Sequence, residues 1–337
     1  SARLGAAIIA QLCDASSMSL TNTIASDLGL NQASKRHLLW IGATAGLELG
    51  MAYTWIANRT NVVRACSPQA AIETDSLSGG PLPSIAILAA DWPGRWALRD
   101  AVLLSKRWPL LRIVSVASSL VDGRRRSGPV LPGIEEVSWY DFPSRFECWC
   151  KDIDAGRPSL LGLPTTARRE ERLLESIPMV VPAIGRDGNT ATGSALTVSL
   201  VASQAVDLDG LTDLLTLAGW HITRSGCGQP ELDEPADVLV WDIGSIQSSQ
   251  LARLRMLSAN RPKLAIVLLE SFPRGDSTLM ALRSGATAVL GRPFLLESLR
   301  GTFLRLEREG RTGWQIGKRT DRQSSTRADL GPCPLAR

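Results

Sequence analysis

Asp242, Glu270, Ser271 and Arg292 are the side chains of this 337-residue chain best placed to do chemistry, because each stands where a short apolar run ends. Asp242 closes Asp237-Val-Leu-Val-Trp-Asp242, Glu270 and Ser271 follow Leu264-Ala-Ile-Val-Leu-Leu269, and Arg292 follows the run that begins at Gly285. A second set is the triplet Arg124, Arg125 and Arg126 beside glycines, since guanidinium groups match phosphate oxygens in a bidentate fork. The triplet is a phosphate-binding candidate weighed against a plain solvated loop, and its spacing does not make a P-loop. Asp91 ends a third run, Ser84-Ile-Ala-Ile-Leu-Ala-Ala90, but no nucleophile and base stand near it, so it reads as a turn or capping carboxylate. Cys148-Trp-Cys150 offers two soft ligands. With only His37 and His221 in the chain no zinc-type spacing exists, so no metal site is expected and the thiols read as free or buried. No catalytic set is visible, and the chain is not expected to be an enzyme.

The elements that must position these residues follow from pattern. Short continuous apolar runs bounded by turn residues, alternating with helical periodicity, read as buried parallel strands joined by crossover helices. In such sheets the working residues collect at the carboxyl ends of the strands. Leu208, Leu211, Leu214 and Leu215 stripe one helix, Leu251, Leu254 and Leu257 another, and Leu295, Leu299, Phe303 and Leu306 the last. Asp276 or Ser277 is expected to cap the helix that ends at Gly285.

Residues 196 to 306 resemble the receiver domain of two-component response regulators, a flavodoxin-like doubly wound module. Asp242 matches the family's phosphoacceptor at the end of the third strand. Gly285-Ala286 and Arg292-Pro293-Phe294 are similar to its Gly-Ala pair and its Lys-Pro-Phe, and Ala218-Gly219-Trp220 sits where the family has Ala-Gly and an aromatic. The departures from the family pattern are informative. The acidic pair that holds magnesium after strand one is missing, since Leu196-Thr-Val-Ser-Leu-Val201 is followed by Ala202-Ser203-Gln204, with no carboxylate before Asp207. The family's hydroxyl falls on Glu270 or Ser271, and its lysine is Arg292, a planar fork in place of a compact ammonium. The resemblance therefore implies a degenerate receiver without a cofactor. Magnesium would enter only if Asp242 accepts a phosphoryl group, with Glu270 supplying a ligand and Arg292 contacting the phosphoryl oxygens. By the same resemblance the helix face Leu295 to Leu306 is the candidate surface for a protein partner; the alternative is that its stripe only packs on the sheet.

Composition bounds the rest. A net charge of +4 with dispersed arginines does not imply nucleic acid, and 44% hydrophobic with 21% charged residues is globular. Six scattered cysteines argue for a reducing, cytoplasmic setting. Residues 1–83 read as a helical or poorly ordered segment with a linker. Leu38 to Ala57 is apolar over nearly a membrane-spanning length, but Glu48 near its centre makes insertion costly, about 2.5 to 3.5 kcal/mol for an acid such as Asp on insertion scales, and a buried helix is preferred. Gly42, Gly46 and Gly50 recur at four-residue spacing, which also suits a close helix-packing face. Residues 84–155 read as a partial α/β domain, an eroded copy of the same architecture: strand 84–90, helix from Leu98, strand 111–117, strand 134–139. Its tryptophans are read as core. Residues 156–195 form a linker with a short helix capped by Thr166, residues 196–309 the receiver-like domain, and residues 310–337 a basic, disordered tail. The expected fold class is thus α/β, with a flavodoxin-like doubly wound parallel sheet in the C-terminal half preceded by a partial α/β domain and a helical N-terminal segment. Three functions remain open: a phosphorylation-independent interaction module, a phosphoaccepting response regulator using Asp242, and an enzyme or phosphate-ligand binder in the first α/β domain.

Overall fold

The computed structural model describes residues 36–73, 82–121, 131, 133–156, 159–163, 171 and 196–309. In the first unit the elements run β1 His37–Gly42, α1 Leu47–Ala57, β2 Asn61–Ala65, α2 Pro68–Glu73, β3 Ile85–Ala90, α3 Leu98–Arg107, β4 Arg112–Ala117, β5 Glu135–Ser138 and α4 Phe142–Asp154. In the second they run β6 Thr197–Ala202, α5 Ala205–Leu217, β7 His221–Cys227, β8 Val238–Gly244, α6 Ser248–Asn260, β9 Ala265–Glu270, α7 Gly275–Arg283, β10 Ala288–Gly291 and α8 Leu296–Glu309.

Each unit carries a five-stranded sheet, ordered β2-β1-β3-β4-β5 in the first and β7-β6-β8-β9-β10 in the second. All strand pairs are parallel. Counted within each unit, both orders are 2-1-3-4-5, the flavodoxin-like doubly wound arrangement. Burial accounts for the sequence pattern. β3 and β9 are buried at every residue because helices cover both faces, whereas the edge strand β7 alternates exposed and half-buried positions. Each sheet separates two apolar clusters, one per face.

The first unit corrects the reading of residues 1–83. Leu38 to Ala57 is not one helix but strand β1, a turn and helix α1, so the first domain begins at least at His37 and is a full five-stranded unit rather than a partial one. The glycines make the difference. Gly42 ends the strand at φ 111, where an added Cβ would meet the Ala89 carbonyl and the Trp96 ring, and Gly46 stands before α1 at φ 89. The strand at 84–90 is therefore the third of its sheet, not the first. Among the described residues no helix is long and apolar enough to cross a membrane. Residues 1–35, Thr166 with most of its expected helix, and the tail from 310 lie outside the described residues.

The two units meet through α4 and α8, the last helices of each. Arg145, 3% exposed, places Nε 2.8 Å from Glu297 Oε2 and Nη2 2.8 Å from Glu135 Oε1. Ser144 Oγ lies 2.7 Å from Thr302 Oγ1 and accepts from Arg305 Nη1 at 3.3 Å, while Arg300 pairs with Asp152 at 3.2 Å. A Cβ at Gly301 would coincide with the Ser144 carbonyl, so the helices approach at backbone distance. The face Leu295 to Leu306 is accordingly not a free partner surface. Leu299, Phe303 and Leu306 are core residues of their own sheet, and the opposite side of α8 is covered by α4.

Candidate functional site

Strand register places the candidate residues. In the second unit Asp242 stands beside Ala202, the last residue of β6, and Glu270 beside both Gly244 and Gly291. Arg292 follows β10, its amide donating to the Glu270 carbonyl at 2.7 Å, and joins Pro293 through a cis peptide. The four sequence candidates thus do lie at one end of the sheet, as the carboxyl-end rule requires.

Their side chains form two groups rather than one. Asp242 is 1% exposed; its Oδ2 accepts from Arg292 Nη1 at 2.7 Å. Arg292 Nη2 donates to Asp207 Oδ1 at 2.8 Å, so the guanidinium spans two carboxylates, one from the strand end and one from the first turn of α5. Asp242 Oδ1 is buried without a hydrogen-bond partner, and the Gly244 backbone favours the charged form of the carboxyl. Burial pushes the Asp242 carboxyl above the ordinary range, Arg292 pulls it back and Asp207 adds to the rise. The Arg292 guanidinium is held protonated, first by its bond to Asp207.

Glu270 belongs to the second group. Its Oε1 accepts from Ser277 Oγ at 3.4 Å, and its Oε2 is buried without a partner. Burial raises its pKa, the Ile246 backbone and the Ser277 hydroxyl lower it, and Asp276 raises it again. Neither Asp242 nor Arg292 is among these neighbours. Ser271 donates its amide to the Gly244 carbonyl at 2.7 Å and so ties the β9 end to the β8 end. Ser277 sits in the first turn of α7, and Arg274 rather than Asp276 or Ser277 is the residue before that helix. The amide of Gly275 is bonded from the other unit: Glu48 Oε1 accepts it at 3.0 Å, while Glu48 also accepts the Ser119 amide at 2.6 Å and hydroxyl at 2.7 Å.

Magnesium does not fit this arrangement. The ion needs several oxygen ligands in near-octahedral geometry. Here both nearby carboxylates are engaged by the Arg292 fork, and the Ser203 hydroxyl donates to the Asp242 carbonyl at 3.1 Å. Among the described residues no three His, Cys, Asp or Glu side chains are grouped as a metal site.

The first unit repeats the scaffold without the polar groups. Gly42, the last residue of β1, pairs with Ala89, so Ala89 stands where Asp242 does. Ala117 pairs with Ser138, which puts Ala117 at the Glu270 position and Trp139 at that of Arg292; the Trp139 amide donates to Ala117 as the Arg292 amide does to Glu270. Trp96 covers this end, its Nε1 donating to the Ala89 carbonyl at 2.9 Å. Asp91 lies 3.8 Å from Arg95, whose guanidinium stacks on Trp92 and Trp96. Cys148 is buried with its thiol pushed up to about 12, chiefly by burial, and donates to Asp152 at 3.7 Å. Arg124, Arg125 and Arg126 lie outside the described residues.

Sequence reasoning missed two participants, Asp207 and Glu48. Asp207 was discernible as a first-turn acid of the helix after β6. Glu48 was hidden because its partners are 71 and 227 residues away.

No protein-family model and no curated protein matches the chain. Among solved structures, a pilus assembly-related protein of Burkholderia pseudomallei is 22% identical over 35% of this chain and 92% of that one, with a TM-score of 0.31. The DrrB receiver domain in its BeF3-activated form is 24% identical over 34% of this chain and 98% of its own, with a TM-score of 0.29. A CheY-like receiver domain protein of Methanospirillum hungatei is 17% identical over 34% and 98%, with a TM-score of 0.29. The solved structures similar to parts of this chain thus include response-regulator receiver domains.

Proposed function

We propose that this chain is a signal-transduction protein whose two receiver-like units act together as a phosphorylation-independent protein-interaction module. The observation that carries this reading is the Arg292 guanidinium bonded to Asp242 and Asp207 at once. Phosphoryl transfer to a carboxylate requires a divalent ion to neutralise the transferring group. A guanidinium bound to both acids occupies the place such an ion would take and offsets only one of their two charges. The first unit supports the same reading, since alanine stands at the acceptor position and an indole covers it. Recognition then falls to surfaces other than α8. Large apolar side chains are exposed at the carboxyl ends of β3, β4 and β9, where Trp92, Leu120 and Phe272 follow the strands.

The test is incubation with a small phosphodonor and magnesium, read by intact mass. No phosphoryl adduct is expected. A stoichiometric adduct that disappears in Asp242→Asn would overturn the proposal in favour of a phosphoaccepting regulator.

A further inference from the structure

We propose that the outer face of α3 is a docking surface for an anionic lipid bilayer, which it meets at the headgroup layer with a row of interleaved apolar and cationic side chains. This contact goes beyond the protein-interaction reading above and does not depend on it.

α3 runs Leu98–Arg107, about 15 Å at 1.5 Å per residue. Ala101 and Leu104, with Trp108 just past its end, pack into the core of the first unit. Helical spacing then puts Arg99, Val102 and Lys106 in one line on the far side, with Leu98 beside it and Leu110 in the turn that follows. Leu98 is 50% exposed, Val102 42% and Leu110 87%, and Arg99, Lys106 and Arg107 are exposed among them. None of these cations pairs with an acid among the described residues. Asp100, the one acid of the helix, accepts the Ala97 amide at 2.8 Å and is committed to the helix start. Helix stability accounts for Lys106 and Arg107, cations in the last turn, but not for Arg99, which stands in the first turn where the dipole opposes it.

The mixture of side chains selects the occupant. Cations are drawn to the negative potential of an anionic leaflet, and aliphatic tips enter the boundary between headgroups and acyl chains. The long stems of Arg99 and Lys106 keep their charges in water at the depth that Leu98 and Val102 reach. A nucleic acid would satisfy the cations but leave the three aliphatic side chains against phosphates. A protein would have to supply a groove for this ridge, whereas a bilayer needs none. The helix has its inner side committed to the core and falls short of the roughly 20 residues that spanning takes, so it lies on the surface. The outer side of α5 carries Asp209 and Asp213, both exposed, so an anionic surface repels that helix and attracts the first unit.

The experiment floats the full chain with vesicles of phosphatidylcholine alone and of phosphatidylcholine with phosphatidylserine in a two-to-one ratio. Wild type should partition onto the phosphatidylserine vesicles, not onto phosphatidylcholine alone, and should come off as salt rises. Arg99→Gln with Lys106→Gln should weaken partitioning about 25-fold, at about fivefold per cation near such a surface. Leu98→Gln with Val102→Gln should weaken it about tenfold or more. Arg255→Gln with Lys263→Gln removes the same charge from exposed positions of the second unit and should bind as wild type. All six substituted side chains are exposed, so melting temperatures should match wild type and loss of fold does not confuse the result. Absence of a preference for phosphatidylserine would overturn the proposal. So would wild-type binding by the Arg99 and Lys106 pair, or an equal loss in the Arg255 and Lys263 pair, which would make the attraction one of net charge. Full binding by the Leu98 and Val102 pair would reduce the face to a general polyanion site and overturn the lipid assignment.

Discussion

At the scale of the residue, Glu270 shows what the fold asks of a buried charge. Its carboxylate is 5% exposed and bonds Ser277 through one oxygen, while the other has no partner. Burial raises its pKa, so the folded protein holds this proton more tightly than the unfolded chain. The charged form penalises the fold fully above the raised folded value, and the penalty disappears as pH falls below the ordinary value of 4.5. Glu270→Gln should therefore melt at a higher temperature than wild type at pH 7, with the gap closing as pH falls from neutral toward 4.5. Thermal melts across that range check it, and a glutamine variant less stable at pH 7 would show that the carboxylate makes a bond the amide cannot replace. Asp242 is shifted in the same direction, but its ion pair with Arg292 makes Glu270 the cleaner probe.

At the scale of the element, the contact between α4 and α8 depends on charge and on close approach. Arg145 is buried between Glu297 and Glu135, and removing one partner of a buried pair costs about 3–5 kcal/mol because the other charge is left uncompensated. Arg145→Ala should lower stability by roughly that amount, and a double-mutant cycle with Glu297→Ala in urea should return a coupling of about 0.5–3 kcal/mol. A coupling near zero would mean the pair is not formed in solution.

This contact also shows where the sequence stops being legible. The apolar runs gave away β3, β4, β6, β8, β9 and β10, because a strand covered on both faces is apolar throughout, whereas the edge strand β7 carries no such run. The stripe Leu299, Phe303 and Leu306, taken as a candidate partner surface, packs on its own sheet instead, which was the alternative reading. Its other side carries Glu297, Ser298, Thr302 and Arg305, all buried although polar or charged. Their burial depends on a helix about 150 residues earlier in the chain, as the 152-residue separation of Arg145 and Glu297 shows. β1 and α1 were merged because both are apolar and the turn between them is signalled only by glycine backbone angles. In the candidate site, the end of the sheet was legible from strand ends alone, but the split into Asp242–Arg292–Asp207 and Glu270–Ser277 was not. Side-chain direction at a strand end is set by neighbouring loops, not by local pattern.

At the scale of the whole molecule, two units of the same topology share buried polar contacts at α4/α8 and a second joint where Glu48 accepts from Gly275. They should unfold together. Gly301→Ala, whose Cβ would meet the Ser144 carbonyl, should destabilise by about 1–3 kcal/mol or more and divide the single calorimetric transition into two. Gly210→Ala in α5, which has open space at its Cβ, should be neutral or stabilising by up to about 1 kcal/mol and keep one transition. Two transitions in wild type would show that the shared contacts do not couple the halves.

The joint between α4 and α8 has one more consequence, for what becomes of either half alone. Its lining is Ser144, Arg145, Glu297, Thr302 and Arg305, hydroxyls and ions where an obligate seam would carry leucines. A protease that severed the connection would expose surfaces that water wets readily, so the pieces would disperse instead of clumping. Such a joint gives little reward for mere proximity, and only the correctly registered mate can satisfy it.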